Sequence, residues 1–106
     1  MAKMRSKIAF IMLLFTTTNV WAAEFVVGQK AKAFTAKELK IKAGDVVSFP
    51  NQDPFFHNVF SLSPSKTFDL GSYPQGQTRK VTFDKPGKVD VECAIHPNMH
   101  MTIHVE

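Results

Sequence analysis

Lys88-Val89-Asp90-Val91-Glu92-Cys93 alternates strictly between charged and small apolar side chains. Successive side chains of a strand point to opposite faces, so Val89, Val91 and Cys93 share one face while Lys88, Asp90 and Glu92 share the other. The stretch is therefore predicted as a strand lying against a core, with Cys93 at its inward-pointing end. Downstream, the same alternation turns Met101, Ile103 and Val105 inward and Thr102 and His104 outward.

Working outward from that segment, the chain is a series of short runs of Val, Ile, Phe and Thr separated by turn chemistry. Strands are predicted at Glu24 to Gln29, Leu39 to Lys42, Asp45 to Asn51, His57 to Leu62, Thr78 to Phe83, Lys88 to Cys93 and Met101 to Val105. Turns fall at Ala43-Gly44-Asp45, Gln52-Asp53-Pro54, Ser63-Pro64-Ser65 and Lys85-Pro86-Gly87-Lys88, the last with Pro and Gly where a type II turn wants them. No helical stripe exceeds about two turns. The expectation is a single all-β domain built as a sandwich, with no repeat, linker or low-complexity tract.

The first residues read differently. Lys3, Arg5 and Lys7 precede an uncharged apolar run from Ile8 to Phe15, followed by a more polar stretch ending in small residues. This is the pattern of an export signal. The apolar run falls well short of the about 20 residues that span a bilayer. Val20 and Ala22 stand at the positions where a signal peptidase prefers small or modest aliphatic residues, whereas cleavage after Ala23 would place Trp21 at one of them. Residues 1–22 are accordingly expected to be removed, leaving 23–106 as the domain, delivered to the periplasm with no stable membrane insertion.

Removal of the leader changes the charge balance. The full chain carries a net charge of +4, but three of its basic residues lie in the leader, and the remainder is nearly neutral. Nothing resembles the clustered basic face of a nucleic-acid-binding protein. A domain this small hides only about 60–65 % of its unfolded surface, so it needs a dense core or a metal. Phenylalanines at 25, 34, 49, 55, 56, 60, 68 and 83 supply density, and Phe55 and Phe56 are read as core residues. Cys93 is the only cysteine. It has no partner for a disulfide within the chain, and a leftover thiol in an oxidising compartment calls for another use, such as binding metal.

Cys93-Ala94-Ile95-His96-Pro97-Asn98-Met99 places a thiolate, an imidazole and a thioether within one short loop. Such a mixture suits copper, because sulfur favours Cu(I) and nitrogen favours Cu(II). His57, at the start of a strand after a Pro-containing loop, is the candidate second imidazole. Spacing leaves two thioethers open, Met99 and Met101, which share strand parity.

On these residues the resemblance becomes specific. Phe34-x-x-x-Glu38-Leu39-x-Ile41-Lys42-Ala43-Gly44-Asp45-Val46-Val47-x-Phe49, Asn51-x-Asp53 and His57-Asn58-Val59 precede Phe83-Asp84-Lys85-Pro86-Gly87 and Cys93-x-x-His96-Pro97-x-Met99. This layout resembles the cupredoxins, the type 1 blue-copper proteins, in their amicyanin, plastocyanin and pseudoazurin branch, over nearly all of residues 23–106. The resemblance implies a two-sheet Greek-key β-sandwich holding one type 1 copper ion through His57, Cys93, His96 and, by the short loop, Met99. It further implies that Asn58 ties the two ligand loops together and helps to hold Cys93. The implied function is electron transfer by Cu(I)/Cu(II) cycling, with no enzymatic activity. The partners would be a redox protein donor and acceptor that dock near His96-Pro97 on a monomer. The alternative use of the same ligands is a periplasmic copper chaperone or store. Two features depart from the branch: Met101 where amicyanin-like chains carry glycine, and Phe55-Phe56 before His57.

Other histidines and the lysines have plainer readings. His100 and His104 would lie about 13 Å apart on a strand, too far for one ion, and are read as exposed. Lys30, Lys32, Lys37, Lys40 and Lys42 are read as a solvated basic side.

Overall fold

The computed structural model describes residues 21–106, so the expected leader lies outside the described residues except for Trp21 and Ala22. Ten strands are present among the described residues: β1 (Glu24–Val26), β2 (Gln29–Lys30), β3 (Ala33–Phe34), β4 (Glu38–Ile41), β5 (Asp45–Pro50), β6 (His57–Ser61), β7 (Phe68–Tyr73), β8 (Thr78–Phe83), β9 (Gly87–Cys93) and β10 (His100–Val105). They form a three-stranded sheet in the order β1-β5-β8, a five-stranded sheet in the order β4-β10-β9-β6-β7, and the small β2-β3 hairpin. The chain passes repeatedly between the two larger sheets, which gives the expected all-β Greek-key sandwich.

Alternation decides what lies between the sheets. Val89, Val91 and Cys93 are buried, as are Met101, Ile103 and Val105 on β10, where Met101 lies opposite Val91 and Ile103 opposite Val89. Full burial of each Val or Ile side chain contributes about 1.5–3 kcal/mol. The three-stranded sheet answers with Val47, Phe49, Val81 and Phe83. Phe68 on β7 joins the layers, its ring lying 6.3 Å from Phe49 and 6.0 Å from Phe83, edge-on to the latter.

Several expectations are corrected by tertiary contacts. The strand expected over Glu24 to Gln29 is two, because the chain turns out of β1 at Gly28, where a Cβ would stand 2.8 Å from Gln52 Nε2. The β2-β3 hairpin closes through Ala31 and Lys32, both with positive φ (53° and 58°). Gly and Asn normally take such positions, so no turn signal marks them. The Asp53 carboxylate holds this turn instead, accepting the amides of Ala31 (2.7 Å) and Lys32 (3.0 Å).

The edge strand β7 was also unexpected. The left-handed Gly71 (φ 70°) interrupts its alternation, and its pairing with β6 shifts register between Asn58 and Phe60. Thr102 sits on the outward face as expected but is buried, because β4 and β9 flank it and its hydroxyl donates to Asp90 Oδ1 (3.2 Å). Gly87 has φ 146° rather than the about +80° of a type II turn. The residues before it carry the chain from one sheet to the other, and Ser65 leaves no room there for a Cβ.

Candidate metal centre

Antiparallel pairing brings the two loops expected to carry metal ligands to one end of the sandwich. β6 begins with His57 and β9 ends with Cys93, and Val59 is the residue directly opposite Cys93. His57 has the parity of Val59, so its side chain points inward beside the cysteine, and both are buried. Backbone bonds then clamp the loops. Asn58 N donates to Cys93 Sγ (3.4 Å), and Asn58 O accepts the amide of Ala94 (3.1 Å). The tie expected of Asn58 is thus made by its main chain; its buried side-chain Oδ1 has no partner among the described residues.

The Cys93 to His100 loop folds back on itself. Met99 N donates to His96 O (2.9 Å) and Met99 O accepts Cys93 N (3.3 Å). This turn aims His96 at the cysteine: Cys93 Sγ lies 3.6 Å from His57 Nδ1 and 3.9 Å from His96 Nδ1. One ligand atom from each of the three residues falls within 4.8 Å of the others. Two imidazole nitrogens and a thiol sulfur converging in a mostly buried space form a donor set that fits copper in both common oxidation states. Met99, 1 % exposed, lies across from Cys93 one step beyond the pairing of β9 with β10, joined to it by the Cys93 N–H, whereas Met101 lies across from Val91, one inward position further from the loop end.

Asp53 sets the tautomer of His57. Its Oδ2 is 2.7 Å from His57 Nε2, which as donor leaves Nδ1 with a free lone pair facing Cys93. Burial pushes the Asp53 carboxyl up. The His57 N–H and the Lys32 and Ala31 amides outweigh this and hold it below the usual carboxylate value. Asn51 in turn shapes the loop, accepting Asp53 N at its Oδ1 (2.9 Å) and donating to Phe55 O (2.8 Å) and Tyr73 O (3.0 Å). In the sequence Asp53 reads as a turn residue; only its four-residue spacing to His57 hints at more.

Phe55 and Phe56 are not core residues. Phe55 is half-buried, its ring centroid 5.3 Å from each of the His57 and His96 rings, which are 4.9 Å apart. Phe55 thus packs against both imidazoles. Lys32 Nζ stands 5.6 Å from the Phe55 centroid, so this lysine belongs to the same end of the molecule as the site. Phe56 is 54 % exposed and Ile95 51 %, and Pro97 and Asn98 are exposed beside the half-buried His96. The remaining histidines lie elsewhere: His100 pairs with Asp90 (3.4 Å) and His104 with Glu38 (3.7 Å).

The geometry agrees with what the chain resembles. The model of the copper-binding proteins of the plastocyanin/azurin family matches residues 22–106. Amicyanin-alpha of Methylorubrum extorquens is 36 % identical over 76 residues, covering 69 % of this chain and 64 % of the relative. The methylamine utilization protein MauL of the same organism is 32 % identical over 68 residues, 63 % of this chain and 60 % of the relative. This chain therefore spans less than two thirds of either curated relative. Among solved structures, amicyanin from Paracoccus versutus superposes with a TM-score of 0.72 at 30 % identity, over 83 % of this chain and 86 % of that one. A copper-containing nitrite reductase from Thermus scotoductus gives 0.73 at 28 % identity, over 78 % of this chain but only 22 % of the enzyme. With a family match across every residue from 22 to the end, this chain belongs to the copper-binding plastocyanin/azurin family.

Proposed function

We propose that this chain is an exported type 1 copper electron carrier rather than an enzyme. Its copper would be held by His57 Nδ1, Cys93 Sγ and His96 Nδ1, with Met99 as a further, weak sulfur donor. The convergence of one atom from each of His57, Cys93 and His96 within 4.8 Å carries this reading. Copper in such a donor set supplies one-electron cycling between Cu(I) and Cu(II). The protein's own contribution is to keep the donors in place: Asp53 orients His57, the Asn58 main chain holds the sulfur, and Phe55 braces both imidazoles.

The half-buried His96, flanked in the chain by the exposed Ile95 and Pro97, and the exposed Phe56 beside Phe55 support docking of donor and acceptor proteins over this end. Exposed aromatic and aliphatic side chains around a redox centre favour desolvated contact. The leader reading of residues 1–22 supports a periplasmic location. In this reading the described domain acts as a monomer.

The test is spectroscopic. Protein loaded with Cu(II) is expected to show an intense thiolate-to-copper visible band and narrow copper hyperfine splitting by EPR, and Cys93→Ser is expected to abolish both. A band that survives in Cys93→Ser overturns the site. Repeated oxidation and reduction without loss of metal distinguishes the carrier from a chaperone or store, which would release copper on transfer to an acceptor.

A further inference from the structure

We propose that the bond between Ala22 and Ala23 is the processing site of this chain, and that the buried Asp45 carboxylate is built to receive the α-ammonium released there. The proposal rests on the leader reading and adds a receptor for the product. Ala23 N lies 3.0 Å from Asp45 Oδ1, and Lys42 N donates to Asp45 Oδ2 (2.8 Å). Asp45 is 7 % exposed. Lys40 and Lys42 line the same surface cleft as Trp21, Ala22 and Asp45, yet no side-chain cation forms an ion pair with Asp45 among the described residues. A buried carboxylate satisfied only by two neutral amides lacks a compensating charge.

Hydrolysis by a signal peptidase consumes one water and leaves a carboxylate on Ala22. The amine left on Ala23 takes a proton at neutral pH. A neutral N–H donor at Asp45 thereby becomes a charged one, and charge-assisted hydrogen bonds are roughly twice as strong as neutral ones. The surrounding bonds favour this position over the next. Ala23 O accepts the amide of Val46 (2.9 Å), and Glu24 begins the parallel pairing of β1 with β5. Cleavage after Ala23 would remove the donor to Asp45 Oδ1 and the acceptor of Val46 N together. Removal of the leader after Ala22 thus leaves the first strand and both of these bonds in place.

Intact-mass and N-terminal analysis of the exported, copper-loaded protein should place Ala23 first; any other first residue overturns the leader position and the proposal with it. With Ala23 first, the α-ammonium should titrate by NMR above the about 7.7–8.0 of an exposed terminus. A value inside that range overturns the receptor role alone. The processed chain should melt on the order of 4–8 °C above the unprocessed full chain, the shift one added charge-assisted interaction produces in a domain of this size. Asp45→Asn should close that gap. An unchanged gap in Asp45→Asn assigns it to the leader itself and overturns the role of Asp45.

Discussion

Met99, just before β10, and Met101 within it share strand parity and are both fully buried, so burial and parity do not separate them. Their cross-strand neighbours do. Residues directly opposite on an antiparallel pair have Cβ atoms about 4.5–5.5 Å apart, and the residue opposite Met99 is Cys93, while the one opposite Met101 is Val91. Met99→Leu is therefore expected to keep the thiolate band and raise the reduction potential, because a weak sulfur donor to Cu(II) is lost. Met101→Leu is expected to cost under about 1.5 kcal/mol of stability as a volume-conserving core swap. Voltammetry of both variants decides: a potential that moves in Met101→Leu and stays in Met99→Leu reverses the assignment. Asp53 illustrates how one residue can be underread. It lies in a turn-like stretch, yet its carboxylate serves the hairpin turn at Ala31-Lys32 and the imidazole of His57 at once.

Among the elements, β7 combines the weakest pattern with a central task. Its last residue, Tyr73, pairs with His57, and its hydroxyl donates to Phe49 O (2.7 Å) while accepting Gln29 Nε2 (2.9 Å). One side chain thus links β7, β5 and β2 behind the site, and Arg79 stacks over its ring (4.9 Å). Burial pushes the phenol up to about 12. A group raised in the folded state contributes stability that is fully present below its unfolded value, near 10, and that is lost as pH rises through the folded value. Tm is accordingly expected to fall between pH 10 and 12 more steeply in the native protein than in Tyr73→Phe. Because Tyr73 is the only tyrosine, tyrosinate absorbance reads its ionisation directly. Equal slopes in the two proteins would remove Tyr73 from the alkaline transition.

For the whole molecule, the arrangement of charge bears on which face meets a partner. The five lysines grouped in the sequence are all exposed but do not form one side: Lys32 stands against Phe55, whereas Lys40 lies across from His104, well down β10 from the site. Electron transfer favours a short path, and the loop of His96, Pro97 and Asn98 presents the exposed edge of the site. Substitutions at Pro97 or Asn98 are expected to slow transfer with a physiological partner more than Lys37→Ala or Lys40→Ala does. Stopped-flow rates with the visible spectrum as a control test this. Loss confined to the lysine variants, with the spectrum intact, would move the docking surface to β4.

Local pattern was enough to read the sandwich and to single out the side chains that the fold brings together at one end. Strict alternation from Lys88 to Cys93 requires one buried face, and the Cys-x-x-His-x-x-Met loop is local enough for spacing to imply proximity. Position 57 was legible through its family pattern, because strands that run antiparallel return their ends to one pole. The remainder depends on contacts between residues far apart in the chain. The Ala31-Lys32 turn has no Gly or Asn because a distant carboxylate stabilises its left-handed backbone. β7 forms despite Asp69 and Gly71 because the edge of β6 supplies its hydrogen bonds. Phe55 and Phe56 look alike in the sequence, but the packing of two imidazoles covers one ring and leaves the other to solvent. Alternation and loop spacing act between near neighbours and can be read along the chain; pairing, covering and charge compensation act across it and appear only once it has folded.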